Sequence, residues 1–340
     1  MDIKKRVELV TRNLQEVLGK EELEKELGKK TFSVYWGTMP TASPSLAYFF
    51  PMLKIADFLK AGLEVKILIA DLHAALDSVS WEILDKRYEY YKRAIVLILQ
   101  TIGVNAKKLE FVRGKDIQLN EKYFNDVLKL STLSSLRICK KSASEAVKSA
   151  MGEKVKLSGM IYPLMQALDE EYLKVDAQFA GLDQRKILVY AREYLPKIGY
   201  KSRIELMTPM IRGLVGEKMS SSIKASKISL LDAEKEVEKK VIKANCVAGN
   251  PENGILDFLK YVLMIIKQDK NEKFVIEREK KYGGNLEYLE YSEIEKDFVD
   301  KKLHPLDLKN AFTKEVNLLL KKIRNDKKLN NLYKEAYKNE

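Results

Sequence analysis

The pattern of apolar and polar positions predicts alternating strands and helices over the first part of the chain. Residues 1–30 have apolar side chains at helical spacing, with Gly19 and Gly28 as stops, and we expect a helical segment there. Apolar runs then predict strands at 32–36, 65–70 and 110–113, with helices at 46–60 and 81–101. This βαβα order is typical of an α/β fold with a Rossmann-like, doubly wound parallel sheet, which binds ligands at the carboxyl ends of its strands.

A second pattern interrupts this alternation and then replaces it. Residues 121–151 predict an inserted pair of helices, followed by a helix at 159–170, a strand at 172–178 and a helix at 184–195. Beyond Ser222 the pattern becomes mostly helical, with one strand candidate at 274–278. We therefore predict an N-terminal helical segment (1–30), a Rossmann-like domain (31–227) with an insertion at about 121–151, and a mostly α-helical domain (228–340).

Composition and charge narrow the class of protein. With 46% hydrophobic and 32% charged residues, the 340-residue chain fits a globular protein of two domains. The longest apolar run, 94–99, is too short to span a membrane, the first residues lack the apolar core of a signal peptide, and the two cysteines lack metal-ligand spacing. We expect a cytoplasmic protein with no membrane contact and no metal site of its own.

The net charge of +12 is concentrated at the C-terminal end. Residues 309–340 contain nine Lys or Arg against four Asp or Glu. Such an excess suits a polyanionic partner, although a solvated lysine-rich face has the same composition.

Two loops have the residue types that bind phosphate. The first strand runs through Gly37 into a loop rich in Pro, Ser and Thr and then into a helix, where free N–H groups and the helix dipole attract an anion. This loop lacks the Gly-Lys-Ser/Thr sequence of a Walker motif. The second loop, 216–222, places Lys218 before three serines, and it suits either a mobile phosphate clamp or a serine-rich surface turn.

A row of polar side chains lies on an apolar helix. Tyr162, Gln166 and Asp169 stand at i, i+4 and i+7 and therefore share one helical face. Buried polar groups must be hydrogen-bonded, so the row either pairs internally or binds a polar ligand. Gln184, between a strand and a helix, would reach the same pocket, and the neighbouring Asp183 would also serve as a helix cap.

Five motifs appear in order and together resemble one family. They are Tyr35-Trp36-Gly37-Thr38, Ala70-Asp71-Leu72-His73-Ala74, Tyr162-Pro163 continuing through Gln166-Ala167-Leu168-Asp169-Glu170-Glu171-Tyr172, Gly181 with Asp183-Gln184-Arg185-Lys186, and Lys218-Met219-Ser220-Ser221-Ser222. From about residue 5 to about residue 335 the chain resembles the tyrosyl-tRNA synthetases of archaeal and eukaryotic type, which are class I aminoacyl-tRNA synthetases.

The resemblance implies a two-step ligase reaction. L-tyrosine would attack the α-phosphate of ATP to give tyrosyl-adenylate and pyrophosphate, and the tyrosyl group would then pass to the 3′ end of tRNA(Tyr). Mg²⁺ would enter with ATP and need no dedicated protein site. The family also implies a homodimer formed through the inserted helices.

The resemblance also implies the roles of individual residues. Tyr35 and Asp169 would bind the hydroxyl group of the substrate, and Tyr162, Gln166 and Gln184 its ammonium group. The ATP site would comprise Gly37, Thr41, Ser45, Ala47, Tyr48, His73, Lys218 and Met219, and catalysis would use Lys218, Ser45, Tyr48, Ser220 and Ser221. In the C-terminal domain Tyr282 would stack on the anticodon guanine, Asp307 would accept its hydrogen bonds, and His304 would lie beside them.

One motif departs from the family pattern. The first helix of the sheet normally begins with a His-Ile-Gly-His-like sequence, and here the aligned residues are Ser45-Leu46-Ala47-Tyr48. Ser221 also stands where many relatives have a second lysine. The departure leaves a non-catalytic paralog that binds tRNA or tyrosine as an alternative, and tryptophanyl-tRNA synthetase is another. Tyr35 and Asp169 suit a phenol better than an indole N–H.

Overall fold

The structure of the chain is a computed structural model that describes residues 1–28, 31–147, 152, 155–215 and 227–338. Two sheets are built from eight strands within these residues. The strands are β1 Glu16–Leu18, β2 Ser33–Thr38, β3 Glu64–Ile69, β4 Leu109–Arg113, β5 Ala177–Gly181, β6 Ile204–Thr208, β7 Phe274–Ile276 and β8 Leu286–Tyr288.

Sixteen α-helices connect and follow these strands in the described residues. They are α1 Ile3–Thr11, α2 Lys20–Leu27, α3 Phe49–Lys60, α4 Asp71–Leu76, α5 Leu84–Thr101, α6 Gly114–Gln118, α7 Glu121–Leu133, α8 Leu136–Ala143, α9 Leu157–Tyr172, α10 Arg185–Tyr194, α11 Glu234–Ile242, α12 Gly254–Phe258, α13 Met264–Asp269, α14 Tyr291–Val299, α15 Pro305–Arg324 and α16 Lys327–Ala336. A 3₁₀ turn, Leu46–Tyr48, precedes α3. No helix in the described ranges is long and apolar enough to cross a membrane.

The large sheet has the order β1–β6–β5–β2–β3–β4. Strands β2 to β6 are parallel, and β1 pairs antiparallel with β6 at one edge. The chain leaves β2 toward β3 on one side and returns to β5 on the other. The crevice at the carboxyl ends of β2 and β5 is therefore the topological switch point, where such sheets bind ligands.

The predicted α/β fold with a helical C-terminal region is confirmed, and two local predictions are wrong. The strand expected at 172–178 is the end of α9 followed by a turn in which Lys174 has φ +54°, and β5 begins only at Ala177. Leu173 and Val175 have the alternation of a strand because they pack against Tyr35 from this turn. Residues 16–18, expected to be helical, form β1, whose partner lies almost 190 residues away on β6.

The chain divides into two compact units. The first comprises Met1–Thr41, Lys54–Lys92 and Ala106–Met210 and contains the large sheet. The second comprises Ala42–Leu53, Arg93–Asn105 and Ile211–Glu340 and contains the β7–β8 hairpin and the helices from α11 onward. The predicted domain boundary at residue 227 remains a prediction.

Candidate active site

A buried carboxylate and a buried phenol lie at the centre of the first unit. Asp169 on α9 is 1% exposed, and its Oδ1 lies 2.8 Å from Nε2 of Gln118 and 2.9 Å from the hydroxyl of Tyr123. Burial raises the pKa of Asp169 to about 7. The hydroxyl of Tyr35 on β2 is buried without a hydrogen-bond partner in the described residues. Desolvation, followed by the negative charge of Asp169, raises the pKa of Tyr35 well above its usual value.

His73 on α4 is buried beside Asp169. Its ring meets the ring of Tyr162 edge-on at 4.5 Å, its Nδ1 lies 3.1 Å from Nε2 of Gln118, and its Nε2 lies 3.7 Å from Oδ2 of Asp169. Burial lowers the pKa of His73 to about 3, so the imidazole is neutral. Because the Gln118 amide donates to Nδ1, the ring proton belongs on Nε2, facing Asp169. These contacts involve the predicted tyrosine-binding residues, and the role of His73 toward ATP remains a prediction.

The polar row on α9 leads away from Asp169 toward the β5–α10 turn. Tyr162 and Gln166 are both buried, and Nε2 of Gln166 donates to Oε1 of Gln184 at 3.4 Å. Nε2 of Gln184 donates in turn to Oδ2 of Asp183 at 3.2 Å. A Cβ at Gly181 would lie 2.6 Å from Oδ1 of Asp183, so a larger residue there would displace the Asp183 carboxylate. The structure thus places the five predicted tyrosine-binding residues in one unit, with a carboxylate at the far end of the row.

The end of β2 exposes backbone to a ligand. Gly37 is exposed although its neighbours in β2 are buried, which leaves the backbone open at the switch point. Beyond it, the carbonyl of Thr41 accepts a hydrogen bond from Arg87, and its N–H donates to the carbonyl of Met39 at 2.8 Å. Gly37 and Thr41, two of the predicted ATP-binding residues, therefore both lie in the first unit.

The later part of the first predicted phosphate loop belongs to the second unit. Ser45 precedes the 3₁₀ turn Leu46–Tyr48 and forms an isolated antiparallel bridge with Ser229. The N–H of Leu46 donates to the carbonyl of Ile228 at 2.8 Å. Ser45 is buried, whereas Ala47 and Tyr48 are half-buried. The predicted residues Lys218, Met219, Ser220 and Ser221 lie outside the described residues, and the chain that follows them pairs with the Ser45 loop.

The three predicted anticodon residues are also in the second unit. Tyr282 is 62% exposed and ends a 3₁₀ turn in the loop between β7 and β8, with Nζ of Lys281 4.9 Å from its ring centroid. His304 caps α15, because its Nδ1 accepts a hydrogen bond from the N–H of Leu306 at 3.1 Å. The cap requires a lone pair on Nδ1, so Nε2 is left as an exposed donor. Asp307 lies in the first turn of the same helix.

The polar side chains behind Tyr35 were not predicted from the sequence. In the sheet register Tyr35 is paired with Gln178, and Gln178 with Glu205, so the three side chains lie side by side on one face. Glu205 and Glu170 are fully buried, and their carboxylates have no hydrogen-bond partner in the described residues. Burial raises the pKa of Glu170 to about 8 and that of Glu205 well above its usual value. A polar residue inside an apolar strand was the signal that would have revealed Gln178 and Glu205.

Gln118 and Tyr123, which hydrogen-bond Asp169, were missed as well. Both lie in polar, helical stretches where nothing in the local pattern distinguishes them from a solvated face. They lie 51 and 46 positions from Asp169 in the sequence, so only the folded chain brings them to it.

Comparisons with known proteins show which family the chain resembles over its length. The family model described as tRNA synthetases class I (W and Y) matches residues 27–321. The cytoplasmic tyrosine–tRNA ligase of Gallus gallus is 51% identical over 338 residues, which are 98% of this chain and 63% of that relative. The tyrosine–tRNA ligase of Haloarcula marismortui is 39% identical, with 99% of each chain covered.

A solved structure is similar over nearly the whole chain. The tyrosyl-tRNA synthetase of Archaeoglobus fulgidus, complexed with L-tyrosine, superposes with a TM-score of 0.87 at 40% identity, covering 95% of this chain and 99% of that one. The chain spans less than two thirds of the length of the vertebrate relatives it matches.

Proposed function

We propose a tyrosine-specific reaction because the chain belongs to the class I tRNA synthetases for tryptophan and tyrosine. Within this family it belongs with the tyrosine–tRNA ligases of archaeal and eukaryotic type. In this reaction L-tyrosine and ATP give tyrosyl-adenylate and pyrophosphate, and the tyrosyl group then passes to the 3′ end of tRNA(Tyr). The observation that carries the proposal is the buried pair of Tyr35 and Asp169.

Specificity for tyrosine follows from the hydrogen-bonding capacity that remains in that pair. A substrate phenol hydroxyl donates to the carboxylate of Asp169 and bonds the hydroxyl of Tyr35, which otherwise has no partner in the described residues. Phenylalanine leaves the hydroxyl of Tyr35 buried and unpaired, at a cost of about 1–3 kcal/mol, and gives Asp169 no donor beyond Gln118 and Tyr123. Tryptophan offers a single N–H in a larger ring. The pocket therefore favours a phenol.

The row beyond Asp169 suits the other end of the amino acid. The amide oxygens of Gln166 and Gln184 and the hydroxyl of Tyr162 are acceptors for an ammonium group. The carboxylate of Asp183 adds negative charge at the end of this row. An ammonium group bound there orients the substrate carboxylate toward the switch point, where Gly37 exposes the backbone for ATP.

The chemical step depends on position and charge. The substrate carboxylate attacks the α-phosphate, a new P–O bond forms, and the bond to the bridging oxygen breaks as pyrophosphate leaves with its electron pair. Such a reaction needs alignment and charge stabilisation more than a protein acid or base. Lys218, outside the described residues, would supply positive charge to the leaving pyrophosphate, with Ser220 and Ser221 beside it and Ser45 and Tyr48 on the other loop. Mg²⁺ would enter with ATP, and the described residues contain no cluster of three or more side chains suited to a metal ion.

The second unit supplies the proposed RNA contacts. An exposed aromatic ring at Tyr282, an N–H donor at His304 and a carboxylate at Asp307 are the groups that recognise an unstacked base. The basic C-terminal residues add attraction for phosphate. We place the protein in the cytoplasm, as the names of its relatives indicate.

A homodimer is part of the proposal because one face of α7 is apolar and exposed. Phe124 is 61% and Leu128 49% exposed, and they stand one helical turn apart. Three further leucines at the ends of α7 or next to it in sequence are also exposed: Leu119, Leu133 and Leu136. A second copy of this chain would cover this apolar face.

Tyrosine-dependent exchange of pyrophosphate into ATP tests the first step. We expect exchange with tyrosine and not with tryptophan or phenylalanine, and we expect purified tRNA(Tyr) to accept the product. Lys218→Ala is the matched inactive control. Exchange no higher than in this control would identify a non-catalytic paralog, as the Ser45 departure allows, and exchange driven by tryptophan would identify the tryptophanyl enzyme.

A further inference from the structure

Arg278 joins two loops of the second unit through hydrogen bonds. Arg278 follows β7 and is half-buried. Its Nε donates to the carbonyl of Gly284 at 3.0 Å, and its Nη1 donates to the carbonyl of Lys302 at 3.3 Å. Its backbone N–H donates to Oδ1 of Asn285 at 3.0 Å. One side chain therefore connects the β7–β8 loop to the turn before α15.

These two loops carry the proposed anticodon residues. Gly284 is two positions from Tyr282, and Lys302 is two positions from His304. In both loops the backbone leaves the regular conformations, with φ +94° at Gly283, +75° at Gly284 and +61° at Lys301. Among the described residues no strand pairing joins the loops, because β7 and β8 pair only with each other there.

The guanidinium group suits this connection because it is planar. Nε and Nη1 donate in a fixed geometry, so two bonded carbonyls are also fixed relative to each other. Nη2 lies 3.5 Å from the position that a Cβ would occupy at Gly283. A lysine at this position has a single nitrogen on a flexible side chain, so it cannot donate to the two carbonyls in the same fixed geometry.

We propose that Arg278 is a positioning residue that sets Tyr282 relative to His304 and Asp307 and thereby determines how well the anticodon guanine is bound. This inference rests on the proposed function. Arg278 acts through the two loops, so its loss weakens recognition of the tRNA without changing the activation of tyrosine in the other unit.

Two substitutions separate geometry from charge. Arg278→Gln removes both the charge and the two guanidinium donors Nε and Nη1. Arg278→Lys keeps the charge and removes the two donors. The control is Lys273→Gln on the same hairpin, which removes an exposed cation that ion-pairs with Glu287 at 2.8 Å. We expect both Arg278 variants to raise the KM for tRNA(Tyr) in aminoacylation roughly tenfold, with unchanged pyrophosphate exchange and an unchanged KM in the control.

A second substrate tests whether Arg278 acts through the guanine. With a tRNA(Tyr) whose anticodon guanine is replaced by adenine, recognition is already lost, so the Arg278→Gln penalty should largely disappear. An equal penalty on both tRNAs would assign Arg278 to a general phosphate contact and overturn the inference.

Other outcomes also contradict the inference. A wild-type KM in Arg278→Lys would show that charge alone matters, and a wild-type KM in Arg278→Gln would show that the residue has no role. Loss of exchange together with a lower melting temperature would indicate a general structural role. If the wild-type protein itself lacks exchange, the proposed function fails, which is distinct from failure of the inference.

Discussion

At the scale of single residues, the surroundings of Asp169 determine its hydrogen bonds and its pKa. Gln118 and Tyr123 donate to one of its oxygens, and the neutral His73 faces the other. Burial favours the protonated carboxyl group and the two donors favour the carboxylate, so its pKa of about 7 lies between these influences. The group is thus able to accept a hydrogen bond from a phenol near neutral pH.

Asp169→Asn tests whether Asp169 recognises the phenol hydroxyl of the substrate. The substitution keeps the size of the side chain and replaces one acceptor oxygen with a donor. We expect kcat/KM for tyrosine in pyrophosphate exchange to fall roughly 10- to 100-fold and discrimination against phenylalanine to shrink. The matched control is Asp126→Asn, another buried carboxylate, which accepts a hydrogen bond from Tyr172 at 2.8 Å outside the site. Equal activity of Asp169→Asn and the wild type would exclude the proposed role.

Glu170 predicts a pH dependence of stability. In the unfolded chain the carboxyl group titrates near its ordinary value of 4.5, whereas burial raises the folded pKa to about 8. Between these values the folded protein keeps a proton that the unfolded chain has released, so the free energy of unfolding decreases as the pH rises. Urea unfolding at a series of pH values should show this decrease, and Glu170→Gln should reduce it, because the pKa of the buried Glu205 is also raised. An unchanged slope in the variant would assign the decrease to other groups.

At the scale of elements, a buried lysine on α3 holds the C-terminal end of α1 by hydrogen bonds. Nζ of Lys54 on α3 donates to the carbonyls of Leu9 and Arg12, at 2.6 and 2.8 Å, where α1 ends. Asp57 lies 3.4 Å from the same nitrogen and also ion-pairs with Arg12. The last carbonyls of a helix need such partners when water does not reach them.

Lys54→Met should weaken this attachment. The substitution keeps the apolar stem and leaves two carbonyls without their donor, which should lower the free energy of unfolding by about 1–3 kcal/mol. Urea denaturation measures the change. Lys4→Met removes an exposed lysine from α1 itself and should have little effect. An equal loss in the two variants would show that the cap contributes nothing.

At the scale of the whole molecule, assembly should depend on the apolar face of α7. Phe124→Glu combined with Leu128→Glu places two charges in the proposed interface, so sedimentation should show the proposed dimer for the wild type and a monomer for the double variant. Leu318→Glu is the control, because Leu318 is 58% exposed and belongs to α15 of the second unit. A wild-type dimer that survives the double substitution would place the interface elsewhere.

Much of the fold was predictable because its central elements have local patterns. The apolar run at 65–70 became β3, and the row of Tyr162, Gln166 and Asp169 became one buried face of α9. By contrast, β6 was not predicted and β1 was assigned to a helix. β6 is the last of the parallel strands, and β1, only three residues long at the edge of the sheet, is defined by its antiparallel pairing with β6 rather than by its own sequence.

The sequence by itself determined the family, the sheet architecture and the identity of the side chains proposed to bind the substrate, because hydrophobic periodicity and ordered motifs are local properties of the chain. Only the tertiary structure decided how those side chains are supported. The donors to Asp169, the carboxyl groups behind Tyr35 and the bridge made by Arg278 each join residues far apart in sequence or on separate loops. Hydrogen bonds and burial depend on distances in space, and these distances exist only after the chain has folded.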